Sequence, residues 1–263
     1  MTTHTPSGGG LRRLCMKVDL ERYRRRNGPG QETAQAALDS ALSAAAEAVG
    51  LDRSAWWRQE CGDGELVVFP ADTDEVALVS TFPRVLDDAL RALRRRDGVV
   101  LRVRLAIHHG TARPAALGFG GDGIVEVSSI VDAQVVKDAL AAVPEAHLVI
   151  ALSNQFYIDI IRGGYTPWRS ADFRKVDLVE DKFRGTAWLT MLDVDMGAVP
   201  LDEEQQSAAK PTAGVHQSAS AGTRSTIQQA ARDATYVARG GTAINVQRDL
   251  RIEGGHIGPH HGR

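Results

Sequence analysis

Two strand-like runs, each carrying an aspartate at one end, constrain this chain more than any other feature. In the first, Leu14, Met16, Val18 and Leu20 alternate with Cys15, Lys17 and Asp19. A period of two is the mark of a half-buried strand, so Asp19 shares the face opposite the aliphatic row. In the second, Gly62-Asp63-Gly64 reads as a tight turn between two strands, the later one running from Glu65 to Phe69 and stopped by Pro70. Between them Ala34, Ala37, Leu38, Ala41, Leu42, Ala45 and Val49 recur at helical spacing. That alanine-rich face lets a helix lie close to a sheet. Two carboxylates brought together at strand ends suit a hard cation such as Mg²⁺ carrying a nucleoside triphosphate. Taken singly, Asp19 reads rather as a turn cap than a ligand, and Asp63 rather as a hairpin residue.

The remaining pattern is mixed α and β. Asn27-Gly28-Pro29-Gly30 reads as a breaker cluster ahead of the first helix. A second helix is expected over about residues 73–96, with Pro83 kinking it or starting its main segment. Val99 to His108 is the clearest strand, with Leu101, Val103, Leu105 and Ile107 facing one way and Arg102, Arg104 and His108 the other. A glycine-rich loop over 118–123 precedes a helix expected over 124–142. Leu148 to Leu152 reads as a strand, Ser153 as the cap of a helix reaching about Arg162, and Phe173–Leu178 and Thr186–Val194 as late strands.

Composition sets broad limits. Of the 263 residues 43% are apolar, enough for a real core, and the formal net charge of −2 gives no general attraction to nucleic acid or an anionic membrane. The short arginine runs at 22–26 and 94–96 read as a solvated turn and a helix C-terminus. No apolar run approaches the roughly 20 residues of a membrane span. With no signal peptide in view, the expectation is a cytoplasmic chain in which Cys15 and Cys61 are reduced core thiols. The adjacent pair His108-His109 points to opposite faces of a strand and does not suit one ion.

Four regions follow. Residues 1–10 read as a disordered lead, 11–195 as the main domain, 196–230 as a flexible linker rich in Ala, Ser, Gln, Thr and Gly, and 231–263 as a β-prone tail. In the tail, Tyr236-Val237-Ala238 and Ala243-Ile244-Asn245-Val246-Gln247 flank Gly240-Gly241. A lone two-stranded hairpin is marginal in water, so self-stacking or addition to a partner's sheet edge is expected.

Three segments of residues 11–195 resemble, in order, motifs of the class III adenylate and guanylate cyclase catalytic domains. MKVDLERY resembles the first strand with its metal aspartate, ECGDGELVVFP the hairpin with the second, and RVRLAIHHGTA the strand usually written Arg-x-Gly-Ile-His-x-Gly. The chain looks like a divergent, actinobacterial-type member. The resemblance implies an α+β fold with a ferredoxin-like βαββαβ core, helices on one face of a mainly antiparallel sheet, and a head-to-tail dimer. It implies two Mg²⁺ ions, or Mn²⁺, held by Asp19, Asp63 and the carbonyl of Leu20. The implied partners are a nucleoside triphosphate and a second cyclase subunit, as a homodimer or a complementary heterodimer, with no nucleic acid and no membrane.

The same comparison marks departures. The family's catalytic asparagine and arginine positions fall on Val125 and Ser129 in GDGIVEVSSIVDA. Valine offers no hydrogen bond to a ribose and serine no positive charge. The base-reading positions fall on Gln59 and Gly118, with Gly62 beside the metal motif, and the triphosphate lysine on Lys182 or, alternatively, Arg184. The expectation is a domain that binds a Mg-nucleotide in a signalling or sensor role with weak or no cyclase activity. The alternatives are an active cyclase, with Glu126, Ser128 or an arginine of 102–104 recruited, and a non-catalytic scaffold acting through the tail.

Overall fold

The computed structural model describes residues 12–116, 118–180, 183–201, 235–237 and 243–245. The first six elements run β1 (Arg12–Leu20), α1 (Gly28–Ala48), β2 (Trp57–Glu60), β3 (Gly64–Val68), α2 (Glu75–Asp97) and β4 (Val103–Thr111). Their strands lie in the order β2-β3-β1-β4, each antiparallel to its neighbour. This is the ferredoxin-like βαββαβ arrangement. The sheet continues through β7 (Leu148–Ser153), parallel to β4, then β9 (Phe183–Thr190) and β8 (Arg174–Glu180), giving seven strands. The fold is α+β with a mainly antiparallel sheet. Among the described residues no helix is long and apolar enough to cross a membrane.

The strand alternation sorts residues between two cores. Met16, Val18, Leu20, Val67, Phe69, Leu105 and Ile107 pack with α1 and α2. Cys15, Leu66, Val68, Ala106 and Val149 face the other way, against α3 (Asp122–Asp132) and α4 (Gln134–Ala142). Both helices of the βαββαβ unit thus lie on one face, and two further helices cover the other. The helix expected over 124–142 is these two helices, broken where Ala133 turns extended. Glu180 accepts from the Gln134 amide at 2.8 Å and caps the second one.

Several breaker signals resolve into caps. Asn27 caps α1 by accepting from the Gly30 amide at 3.0 Å, so Gly28-Pro29-Gly30 forms the first helical turn rather than a loop. Pro83 lies inside α2 without ending it. Proline has no N–H for the carbonyl four residues back, and that carbonyl, Val79, accepts instead from the Trp168 indole at 2.9 Å. The strand expected over 99–108 begins at Val103 and runs to Thr111. The glycine-rich loop expected over 118–123 opens with a strand: β5 (Arg113–Ala115) pairs with β6 (Gly118–Gly120). Ser153 caps the short helix α5 (Asn154–Phe156) as expected, accepting from Phe156 at 3.4 Å.

Packing of the main unit continues to Leu201. Met196, Val199 and Leu201 are buried, and the Arg174 guanidinium donates to the carbonyls of Val199 and Leu201. Residues 1–10 and most of the 196–230 segment lie outside the described residues. In the tail, β10 (Thr235–Val237) pairs antiparallel with β11 (Ala243–Asn245), in the register Thr235↔Asn245. Cys15 is buried, and burial pushes its thiol up to about 12; Cys61 is exposed, so the core-thiol expectation fails there.

Candidate functional site

The hairpin joining β2 to β3 carries Asp63, and its tip crosses the end of β1. The Asp63 carbonyl accepts from the Leu20 amide at 2.8 Å, and Gly64 pairs directly with Asp19. Gly62 turns the chain at φ +76°. Gly64 permits the crossing, because a β-carbon there would overlap the Val18 carbonyl. From α1, the Gln35 amide donates to the Gly62 carbonyl at 2.5 Å and to the Tyr23 hydroxyl at 2.9 Å, bracing the tip. Two aspartates distant in sequence therefore occupy neighbouring backbone positions.

Their carboxylates are not equivalent. Asp63 is half-buried and Asp19 only 5% exposed. Asp19 forms an ion pair with the guanidinium of Arg104, its direct partner across β1 and β4. On the same face Lys17 holds Asp132 of α3 at 3.1 Å. Among the described residues no three His, Cys, Asp or Glu side chains converge as a metal cluster. The donor set thus offers one open carboxylate and one already answered by a cation. Asp63 supplies one ligand to a divalent ion that brings its others with it, and Asp19 supplies none while Arg104 is engaged.

The two positions expected to read a base, Gln59 and Gly118, meet. Gln59 of β2 lies against the α-carbon of Gly118 in β6, so closely that a β-carbon there would overlap the Gln59 side chain. Gly118 also sits at φ +118°. The hairpin of β5 and β6 thus lies beside β2, and a side chain at 118 has no space of its own.

Val125 is 65% exposed on α3, and the Ser129 hydroxyl donates back to the Val125 carbonyl at 2.8 Å. Both line an open groove with Ile124, Ser128 and Phe183, and neither brings charge to it. Of the groups named as substitutes Ser128 lines this groove, and the others have partners of their own. Arg102 pairs with Glu21 at 3.4 Å and donates to the carbonyls of Leu140 and Val143, Arg104 holds Asp19, and Glu126 stands 3.5 Å from His108. Burial raises the Glu126 carboxyl and pushes the His108 imidazole down to about 4, with His109 and Arg12 adding repulsion. His109 faces away and meets Glu75 at 3.0 Å. Lys182 lies outside the described residues; Arg184 is exposed.

One feature escaped the sequence reading. Beneath the hairpin is a cleft of about 320 Å³, lined by Gln35, Asp39, Arg53, Arg58, Glu60 and Glu65 among others. Arg53 bridges Asp39 and buried Glu65 at 2.8 Å each. Burial raises the Glu65 carboxyl in spite of that arginine. The signal was a glutamate opening the otherwise aliphatic run ELVVF, because a charge in a buried strand needs a partner.

No family model and no curated protein matches the chain. Solved structures similar to it include the guanylate cyclase domain of RhGC from Catenaria anguillulae in complex with GTP, at 16% identity, 69% of this chain, 97% of that chain and a TM-score of 0.48. The non-canonical dimeric guanylyl cyclase domain of the RhoGC fusion protein from Blastocladiella emersonii aligns at 14% identity, over 68% and 95% of the two chains, with a TM-score of 0.44. An adenylate/guanylate cyclase/hydrolase from Silicibacter pomeroyi aligns at 19% identity, over 70% and 99%, with a TM-score of 0.44.

Proposed function

We propose that the main unit is a cyclase-like domain that binds a nucleoside triphosphate at the Asp63 hairpin and does not cyclise it efficiently by itself. It serves as a sensor or regulatory module in signalling. The observation that carries this reading is the junction of β1 with the hairpin, where Asp63 and Asp19 occupy neighbouring positions as the interior strand β1 ends. Gln59, which packs against Gly118, offers a carboxamide able to donate and accept hydrogen bonds to a base. Mg²⁺ arrives with the triphosphate, and Asp63 is the carboxylate open to it.

Weak or absent turnover follows from Val125 and Ser129. Neither supplies a donor that strengthens as charge develops on phosphate, and each lost donor costs about 10²–10³ in rate. A second cyclase subunit carrying asparagine and arginine on its own α3 would complete a shared site, so a heterodimer is the natural route to an active enzyme. The test is incubation with ATP, GTP, CTP and UTP plus Mg²⁺, followed by chromatography. Saturable binding without a cyclic product supports the reading. Rapid product formation that Asp63→Ala abolishes would replace it with an active cyclase.

A second reading gives the tail a part of its own. The pairing of β10 with β11 favours a hairpin that stacks with copies of itself, since two strands alone are marginal in water.

A further inference from the structure

We propose that Arg104 stands in for a divalent cation at Asp19, so that the free domain holds no metal there until the guanidinium is displaced. Asp19 and Arg104 are direct partners across β1 and β4, and their side chains are only 8% and 11% exposed. The pairing register runs unbroken over nine positions, from Arg12↔Thr111 to Leu20↔Val103. A slip of one residue would turn the whole aliphatic row of β1 out of its core, so the two charges are held opposite each other by the sheet itself.

A guanidinium is always protonated and delivers to a carboxylate the positive charge a metal would bring. It is tethered, so it competes at high effective concentration. The neighbouring cation on the same face, Lys17, is committed to Asp132 and does not relieve Arg104 of its role. Beside this closed pair, Asp63 is the half-buried member and remains the open carboxylate of the two. The two aspartates therefore differ in kind, with Asp63 available and Asp19 guarded.

This inference rests on reading the Asp19–Asp63 pair as a site. Its test uses metal alone, so its failure is distinguishable from failure to bind a triphosphate. The full chain is titrated with Mn²⁺ without nucleotide, and the free ion is followed by electron paramagnetic resonance. Wild type, Asp19→Asn, Arg104→Met and the double variant are compared. Wild type and Asp19→Asn should be indistinguishable. Arg104→Met, which keeps an apolar stem, should gain a site at least about tenfold tighter, and the double variant should lose it. If Arg104→Met does not fold by circular dichroism, Arg104→Lys takes its place, with a smaller gain expected from the looser ammonium contact. Mn²⁺ binding by wild type that Asp19→Asn removes overturns the proposal. So does a folded Arg104 variant that gains nothing.

Discussion

Gly64 of the hairpin passes over the Val18 carbonyl of β1 with no space for a β-carbon. That contact lays the Asp63 turn across the end of the strand that carries Asp19. Gly64→Ala would have to push the hairpin off β1. We expect a loss of about 1–3 kcal/mol in stability, the usual range for overpacking, together with loss of triphosphate binding. Thermal melting and calorimetry of the variant check both. Undiminished binding would separate the hairpin tip from the site.

Val125→Asn with Ser129→Arg restores the two donor types at the exposed position 125 and the half-buried position 129 of α3. Surface changes of this kind leave stability within about 0.5 kcal/mol. Each donor is expected to add about 10²–10³ to a cyclisation rate. Cyclic product from the double variant, against a wild type that yields little, is the expected chromatogram. Two flat traces would mean that α3 does not reach a reacting phosphate in any assembly of this chain.

His108 makes stability depend on pH. Its folded value is about 4, below the ordinary imidazole value near 6.5, because burial disfavours the charged form. Between these values the unfolded chain binds a proton that the folded chain refuses. The stabilising contribution is therefore complete above about pH 6.5 and declines as pH falls toward 4, on the order of 3 kcal/mol in all. Urea midpoints at pH 7.5 and pH 5 should diverge in wild type and converge in His108→Gln. An equal loss in both proteins would place the sensitivity on other groups.

Removing residues 231–263 should abolish any assembly beyond a dimer while leaving the melting of the main unit unchanged. Light scattering compares the two lengths of chain. An unchanged mass distribution would rule out the tail as the assembling element.

The fold was legible where side chains obey a short period. Leu14 to Leu20 and Val103 to Ile107 specified strands and faces because burial of one face requires alternation. The α1 stripe from Ala34 to Ala45 did the same for a helix. Glycine and proline misled in both directions. Gly28-Pro29-Gly30 became a helix start because Asn27 caps it, and Pro83 stayed within α2 because Trp168 takes the carbonyl that it frees. In the site, motif order singled out Asp19 and Asp63 as strand-end aspartates, and the pairing of β1 with β3 makes them neighbours. The guard on Asp19 was not, because pairing with Arg104 depends on the register of β1 against β4, which no local pattern encodes. Glu65 and Arg53 were missed for the same reason: their meeting is a product of the assembled hairpin and the short turn between α1 and β2 that carries Arg53.

The most direct test is isothermal titration of the full chain with ATP, GTP, CTP and UTP in the presence of Mg²⁺, repeated with Asp63→Ala. Saturable binding of at least one triphosphate, lost in Asp63→Ala, is the predicted result. Flat titrations with all four, or binding that survives Asp63→Ala unchanged, would contradict a nucleotide site at the hairpin.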